Sequence, residues 1–92
     1  MMRLDKFLKN SGLVKRRGLA KRICDEGLVQ VGGRRAKPAT KVSVGDQLRV
    51  QIGLQITDHE ILALPEHPAA RADRAQVTRT LSSERLDPLE DL

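Results

Sequence analysis

Aromatic side chains are all but missing from this sequence, which has one Phe, no Trp and no Tyr in 92 residues. That scarcity counts against recognition of single-stranded nucleic acid by stacking bases on aromatic rings. It also means that a thin core must be assembled from Leu, Ile and Val. A single cysteine, Cys24, excludes an internal disulfide and suits a reducing compartment. No apolar run approaches the roughly 18 residues of a membrane span, and no signal-peptide h-region is evident. His59 and His67 are isolated, so neither a metal site nor a cofactor is expected. The expectation is one small cytosolic domain, soluble and independent of any membrane.

Acidic residues are scarce in one half only. Residues 1–49 hold thirteen Lys and Arg against Asp5, Asp25, Glu26 and Asp46, a net +9. Residues 50–92 hold four Arg against eight acids, a net −4, so the overall +5 hides a strongly basic front. A charge concentrated in this way points to a polyanionic partner. Composition alone leaves structured RNA and duplex DNA both open.

The front half carries two helical patterns. Leu4, Phe7 and Leu8 fall at i, i+3 and i+4 and share one face of a helix over roughly 3–10, with Asp5 in its first turn complementing the dipole. Asn10, Ser11 and Gly12 end it, with Gly12 a left-handed cap. A second helix over about 15–26 has Leu19, Ala20, Ile23 and Cys24 as its apolar stripe, and Gly27 closes it. Helices this short bury their stripes only by lying side by side. Leu4, Phe7, Leu8, Leu19 and Ile23 are the expected core, with Cys24 a buried small hydrophobe and an unreactive thiol.

Strand patterns follow. Leu28-Val29-Gln30-Val31 alternates into Gly32-Gly33, a two-residue turn suited to a type I′ or II′ hairpin; no phosphate-loop motif surrounds it. Val42 and Val44 precede a turn at Gly45-Asp46. Leu48, Val50, Ile52, Leu54 and Ile56 recur at every second position, predicting one half-buried strand or a pair bending at Gly53. Ile61, Leu62 and Leu64 predict a final strand. Beyond Pro65 apolar anchors are few: a short helix around 69–84, with Ala72, Ala75 and Leu81 as weak contacts, and a disordered last eight or so residues are expected. The fold class is therefore α+β: two antiparallel N-terminal helices packed on a small, mainly antiparallel sheet over 1–64. A C-terminal extension over 65–92 is partly helical or disordered.

The candidate binding residues are Arg3, Lys6, Lys15, Arg16, Arg17, Lys21 and Arg22 on the helices, with Arg34, Arg35 and Lys37 returning from the hairpin. A run of cations on a helix is also what a solvated face looks like. A surface serving only solubility mixes signs, however, and this one does not. Guanidinium forks engage phosphate oxygens bidentately and shed water readily, which suits recognition of backbone shape. Arg3 and Arg17 are both expected to be exposed. A helix-turn-helix DNA binder is disfavoured by the sheet that follows and by the lack of Asn or Gln base readers on the second helix. A detached module of an RNA-modifying enzyme is a further alternative, though no catalytic set is in view.

Arg3-Leu4-Asp5-Lys6-Phe7-Leu8, the basic run Lys15-Arg16-Arg17-Gly18-Leu19-Ala20 and the turn Val29-Gln30-Val31-Gly32-Gly33 together resemble the S-four RNA-binding domain. That module's αL RNA-binding motif is two helices and a hairpin. The resemblance covers about residues 3–54 and includes Val44-Gly45-Asp46. Among free-standing members the chain is similar to the RqcP-like branch of bacterial ribosome-associated quality control, notably in Met2–Lys9 and Lys15–Lys21. That resemblance implies a non-enzymatic protein, monomeric off the ribosome, that binds the large ribosomal subunit carrying peptidyl-tRNA. It implies contacts to 23S rRNA and P-site tRNA, with Arg3 and Arg17 at the RNA interface, and support of alanine tailing by RqcH, a further candidate partner. Gly12 departs from the basic residue many members carry there. A related heat-shock-induced branch also binds such subunits, but with a longer basic tail, whereas this chain ends acidic.

Overall fold

A computed structural model describes residues 1–86. Strand β1 (Met2–Arg3) runs straight into helix α1 (Leu4–Asn10), and helix α2 (Arg17–Asp25) follows after a tight loop. Leu4, Phe7 and Leu8 are fully buried, as their spacing predicts. The first helical N–H groups of α1 have no partners within the helix, and the neighbouring loop supplies them: Leu4 N–H donates to the Thr40 carbonyl at 2.8 Å and Asp5 N–H to the Pro38 carbonyl at 3.1 Å. Gly12, at φ +84°, turns the chain out of α1. At the end of α2, Leu28 N–H reaches the Ile23 carbonyl and Gly27 N–H the Cys24 carbonyl, the paired bonds of a Schellman ending. The left-handed backbone of Gly27 makes that ending possible.

The helices pack on a five-stranded antiparallel sheet of order β3-β2-β5-β6-β7, comprising Arg34–Arg35, Val29–Val31, Gln47–Ile52, Gln55–Ile61 and Thr78–Arg85 in that order. Strand β4 (Lys41–Val42) pairs separately with β1. Gly32 and Gly33 both have positive φ, so the β2–β3 connection is type I′. The long alternation resolves into two strands with the turn at Gly53, and only Leu48 and Val50 of its five apolar positions are fully buried. One core joins Phe7, Leu8 and Ile23 of the helices to Val29, Leu48 and Ile61 of the sheet.

Three expectations are corrected. Leu19 is not core: it is 38 % exposed, because α2 meets α1 through the narrower strip Ala20–Ile23–Cys24, and Leu19 lies about 100° around the helix from Ala20. Ile61 ends β6, and Leu62 to Leu64 form no strand. The span 69–84 is not one helix but a 3-10 helix (Arg71–Gln76) followed by β7. Residues 65–86 thus return to the sheet along β6 in seven register pairs. Only Val77 in this stretch is fully buried. The expected disorder of the last residues falls largely on 87–92, outside the described residues.

Candidate nucleic-acid interface

Two arginines from different elements meet on one buried carboxylate. Arg3 closes β1, Asp5 lies in the first turn of α1, and Arg17 opens α2. Arg3 Nε donates to Asp5 Oδ1 at 3.1 Å and Arg3 Nη2 to Oδ2 at 3.2 Å. Arg17 Nη2 stands 3.5 Å from Oδ1, and Lys6 backbone N–H donates to the same oxygen at 2.8 Å. Asp5 is only 3 % exposed. Burial pushes its carboxyl upward, but the Arg3 hydrogen bonds, the Lys6 N–H and the charges of Arg17 and Arg3 together outweigh it and hold the pKa below the ordinary value.

The arginines themselves stay in reach of solvent, with side chains 44 % and 53 % exposed. A guanidinium has five N–H donors. Asp5 occupies two on Arg3 and approaches one on Arg17, so each fork is oriented and still has donors to offer. Two cations sharing one anion leave a net positive cluster oriented by the Asp5 carboxylate.

The other expected residues divide by their partners. Lys6 pairs with Glu66 at 3.2 Å and Arg22 with Glu26, one helical turn on, at 3.1 Å. Lys15, Arg16 and Lys21 are exposed, with no acidic partner among the described residues. Arg34, Arg35 and Lys37 are exposed as well. The Arg35 guanidinium lies over Gly27, about 3.1 Å from where a Cβ would stand. With Lys37 and the acids Asp25 and Glu26 it lines a cleft at the end of α2. The structure therefore gathers Lys15, Arg16, Arg17 and Arg3 at the start of α2, and Arg35 and Lys37 at its end. A nine-residue helix, about 13 Å long, lies between them.

Sequence reasoning assigned Asp5 to the helix dipole and missed its larger part as the anchor of both arginines. The signal was there: Asp5 is the only acid in the first 24 residues and flanks the Leu4–Leu8 stripe. Nor did it single out Lys9, Arg71 and Arg74, which line a cleft beside the loop joining α1 to α2. Arg74 lies over Gly12, its guanidinium filling the space a Cβ would need.

The sequence pattern of the S4 domain matches residues 2–48, the span that holds the Asp5 cluster, both helices and the β2–β3 hairpin. The chain belongs to the S4-domain family. Its relatives include a Listeria innocua protein named RQC P-site tRNA stabilizing factor, 41 % identical over 86 residues, 94 % of this chain and 92 % of that protein. A Bacillus subtilis protein of the same name is 38 % identical over 85 residues, 92 % of this chain and 98 % of that one. Among solved structures, trimeric heat shock protein 15 of Vibrio cholerae superposes with a TM-score of 0.82 at 28 % identity, over 88 % of this chain and 82 % of that one. Within that span, helices and hairpin form one unit around a shared core. No helix among the described residues is long and apolar enough to cross a membrane.

Proposed function

We propose that this S4-domain protein is a non-enzymatic, cytoplasmic RNA-binding factor that engages the large ribosomal subunit carrying peptidyl-tRNA. It contacts 23S rRNA and holds the P-site tRNA in place while RqcH directs alanine tailing. The observation that carries this reading is the convergence of Arg3 and Arg17 on buried Asp5. Two guanidiniums drawn to one carboxylate at the junction of β1, α1 and α2 make a shaped phosphate receptor, and Lys15 and Arg16 extend it along the entry to α2. The name shared by the Listeria and Bacillus relatives supports a role at the P-site tRNA. The mechanism is positional: charge-assisted hydrogen bonds to phosphate read backbone shape, and no bond is made or broken.

The test is sedimentation of the tagged protein with ribosomal subunits at low and moderate salt. Co-migration with large subunits, strengthened when peptidyl-tRNA is trapped on them, is expected. Protein left at the top of the gradient even in low salt would sink the proposal. A second reading, a heat-shock-type rescue factor, is supported by the close superposition on heat shock protein 15. Alanine tailing by RqcH separates the two: it rises on addition of this protein under the first reading and is indifferent to it under the second.

A further inference from the structure

The segment after β6 does more than complete the sheet. It is fastened to α1 at three points: Ala69 N–H donates to the Asn10 carbonyl at 2.8 Å, Asn10 Nδ2 to the Pro65 carbonyl at 3.0 Å, and Lys6 pairs with Glu66. Its far end is fastened by Val77, which is buried and whose carbonyl accepts Leu62 N–H at 2.7 Å. The 3-10 helix between these anchors is thereby set against the loop joining α1 to α2. A cleft of about 420 Å³ opens there, with Lys9, Lys15, Arg71 and Arg74 among its walls and no acid lining it. None of the four cations has an acidic partner among the described residues. Asp73, on the same 3-10 helix, lies outside the lining, and Glu66 is engaged by Lys6.

We infer that this cleft is a second phosphate-binding site for the RNA backbone, in which Arg71 and Arg74 act with Lys9 and Lys15. Four unpaired cations from separated parts of the chain repel one another, and a fold that holds them around one opening gains from an anion placed between them. Arg74 lies over Gly12, a position free of any side chain, which lets its guanidinium reach the wall of the cleft. Lys15 belongs both to this cleft and to the run leading into Arg17, so the cleft continues the Arg3–Arg17 receptor and lengthens the backbone track. The site rests on the RNA-binding reading above and adds the C-terminal segment to it. A polyanionic membrane surface or an acidic peptide is the competing occupant, and a double variant that binds the subunits like wild type would leave the cleft to one of them.

The experiment compares wild type, Arg71→Gln/Arg74→Gln and, as reference, Arg16→Gln, binding large subunits that carry peptidyl-tRNA across a salt series. Each neutralised phosphate contributes about 0.7–0.9 to the slope of log affinity against log salt. The double variant should therefore lose about 1.4–1.8 from that slope. Wild type should then lose roughly 7–12-fold more affinity than the variant between 50 and 200 mM salt. Both side chains are exposed, so the fold, followed by circular dichroism, should not change. A double variant with wild-type slope and affinity overturns the cleft, and leaves the ribosomal reading intact if Arg16→Gln is impaired. If wild type itself ignores the subunits, that reading fails instead. The cleft is then decided by titrating isotopically labelled protein with a short RNA hairpin. Amide shifts at Gly12, Lys15 and Ala69 that vanish in the double variant uphold it; their absence from wild type overturns it.

Discussion

Asp5→Asn sets two arguments against each other. Charge counting says that removing the acid raises the net charge from the present +5 and tightens RNA binding. The geometry says the opposite, because Asp5 is what holds Arg3 and Arg17. An Asn keeps one acceptor but turns an amide NH2 toward a guanidinium that only donates. Losing charge-assisted hydrogen bonds of this kind costs about 1.5–3 kcal/mol, partly offset by relief of carboxylate desolvation and by the solvent still open to both arginines. A net cost of about 1–3 kcal/mol lowers the melting temperature by about 4–8 °C per kcal/mol in a domain of this size. Re-ordering two freed arginines on RNA costs about 1 kcal/mol each, so affinity should fall by roughly 10–30-fold. The assays are thermal unfolding by circular dichroism and RNA affinity measured well below the melting temperature. The pH dependence is a further check. Asp5 titrates below its unfolded value of 3.8, so its stabilisation is fully present above that pH and disappears as pH falls through the folded value. The stability gap between wild type and Asp5→Asn should therefore close under acid. A folded Asp5→Asn variant that binds RNA as well as wild type, or better, refutes the positioning argument.

Arg17→Ala should weaken ribosome binding while costing less than about 1 kcal/mol of stability, since its ion pair is long and half exposed; a melting temperature more than about 8 °C lower would contradict this. Arg3→Ala strips two hydrogen bonds from a buried carboxylate and should destabilise by about 1–3 kcal/mol, measurable as a lower urea midpoint. Cys24 is raised to about 11 by burial and by the charges of Asp5 and Asp25, so an aromatic disulfide reagent near neutral pH should label it only after denaturation; fast labelling of the native protein would show the thiol to be open. His59 is buried and titrates below 6.5, because burial outweighs the charge of Asp58. The unfolded chain therefore takes up a proton that folded His59 resists, and stability should decline as pH drops below about 6.5. His59→Gln should flatten that decline, and an unchanged decline would assign it to another group.

The parts of this molecule legible in its sequence are those where a periodic stripe meets a punctuating glycine. Leu4, Phe7 and Leu8 before Gly12, and Val29 to Val31 before Gly32-Gly33, each state an element, its buried face and its end. Leu19 misled because periodicity gives the direction of a stripe and not its width, and a small partner helix covers only a narrow one. Strand β7 was unreadable for a different reason. Seven of its eight residues are exposed, so no alternation of apolar and polar marks it. It is a strand because β6 offers an edge, and because polar contacts hold it there, with Ser82 Oγ on Asp58 at 2.7 Å and Gln55 on Ser83 at 2.6 Å.

The same distinction governs the binding surface. Cation counts locate the basic half, since charge is a sum over residues and needs no coordinates. Which cations come together is a matter of what places them, and two different devices do so here. At Arg3 and Arg17 a single buried acid gives up part of the local charge in return for orientation. Arg71 and Arg74 are placed instead by the chain's own fastening on either side of their 3-10 helix, Ala69 N–H on the Asn10 carbonyl and Leu62 N–H on the Val77 carbonyl. Neither device leaves a trace in composition: the first hides as a helix-start acid, and the second belongs to a half of the chain whose net charge is negative. A net-charge profile therefore points to residues 1–49 alone, whereas the folded surface sets Lys9 and Lys15 beside Arg71 and Arg74 of the segment that follows residue 65.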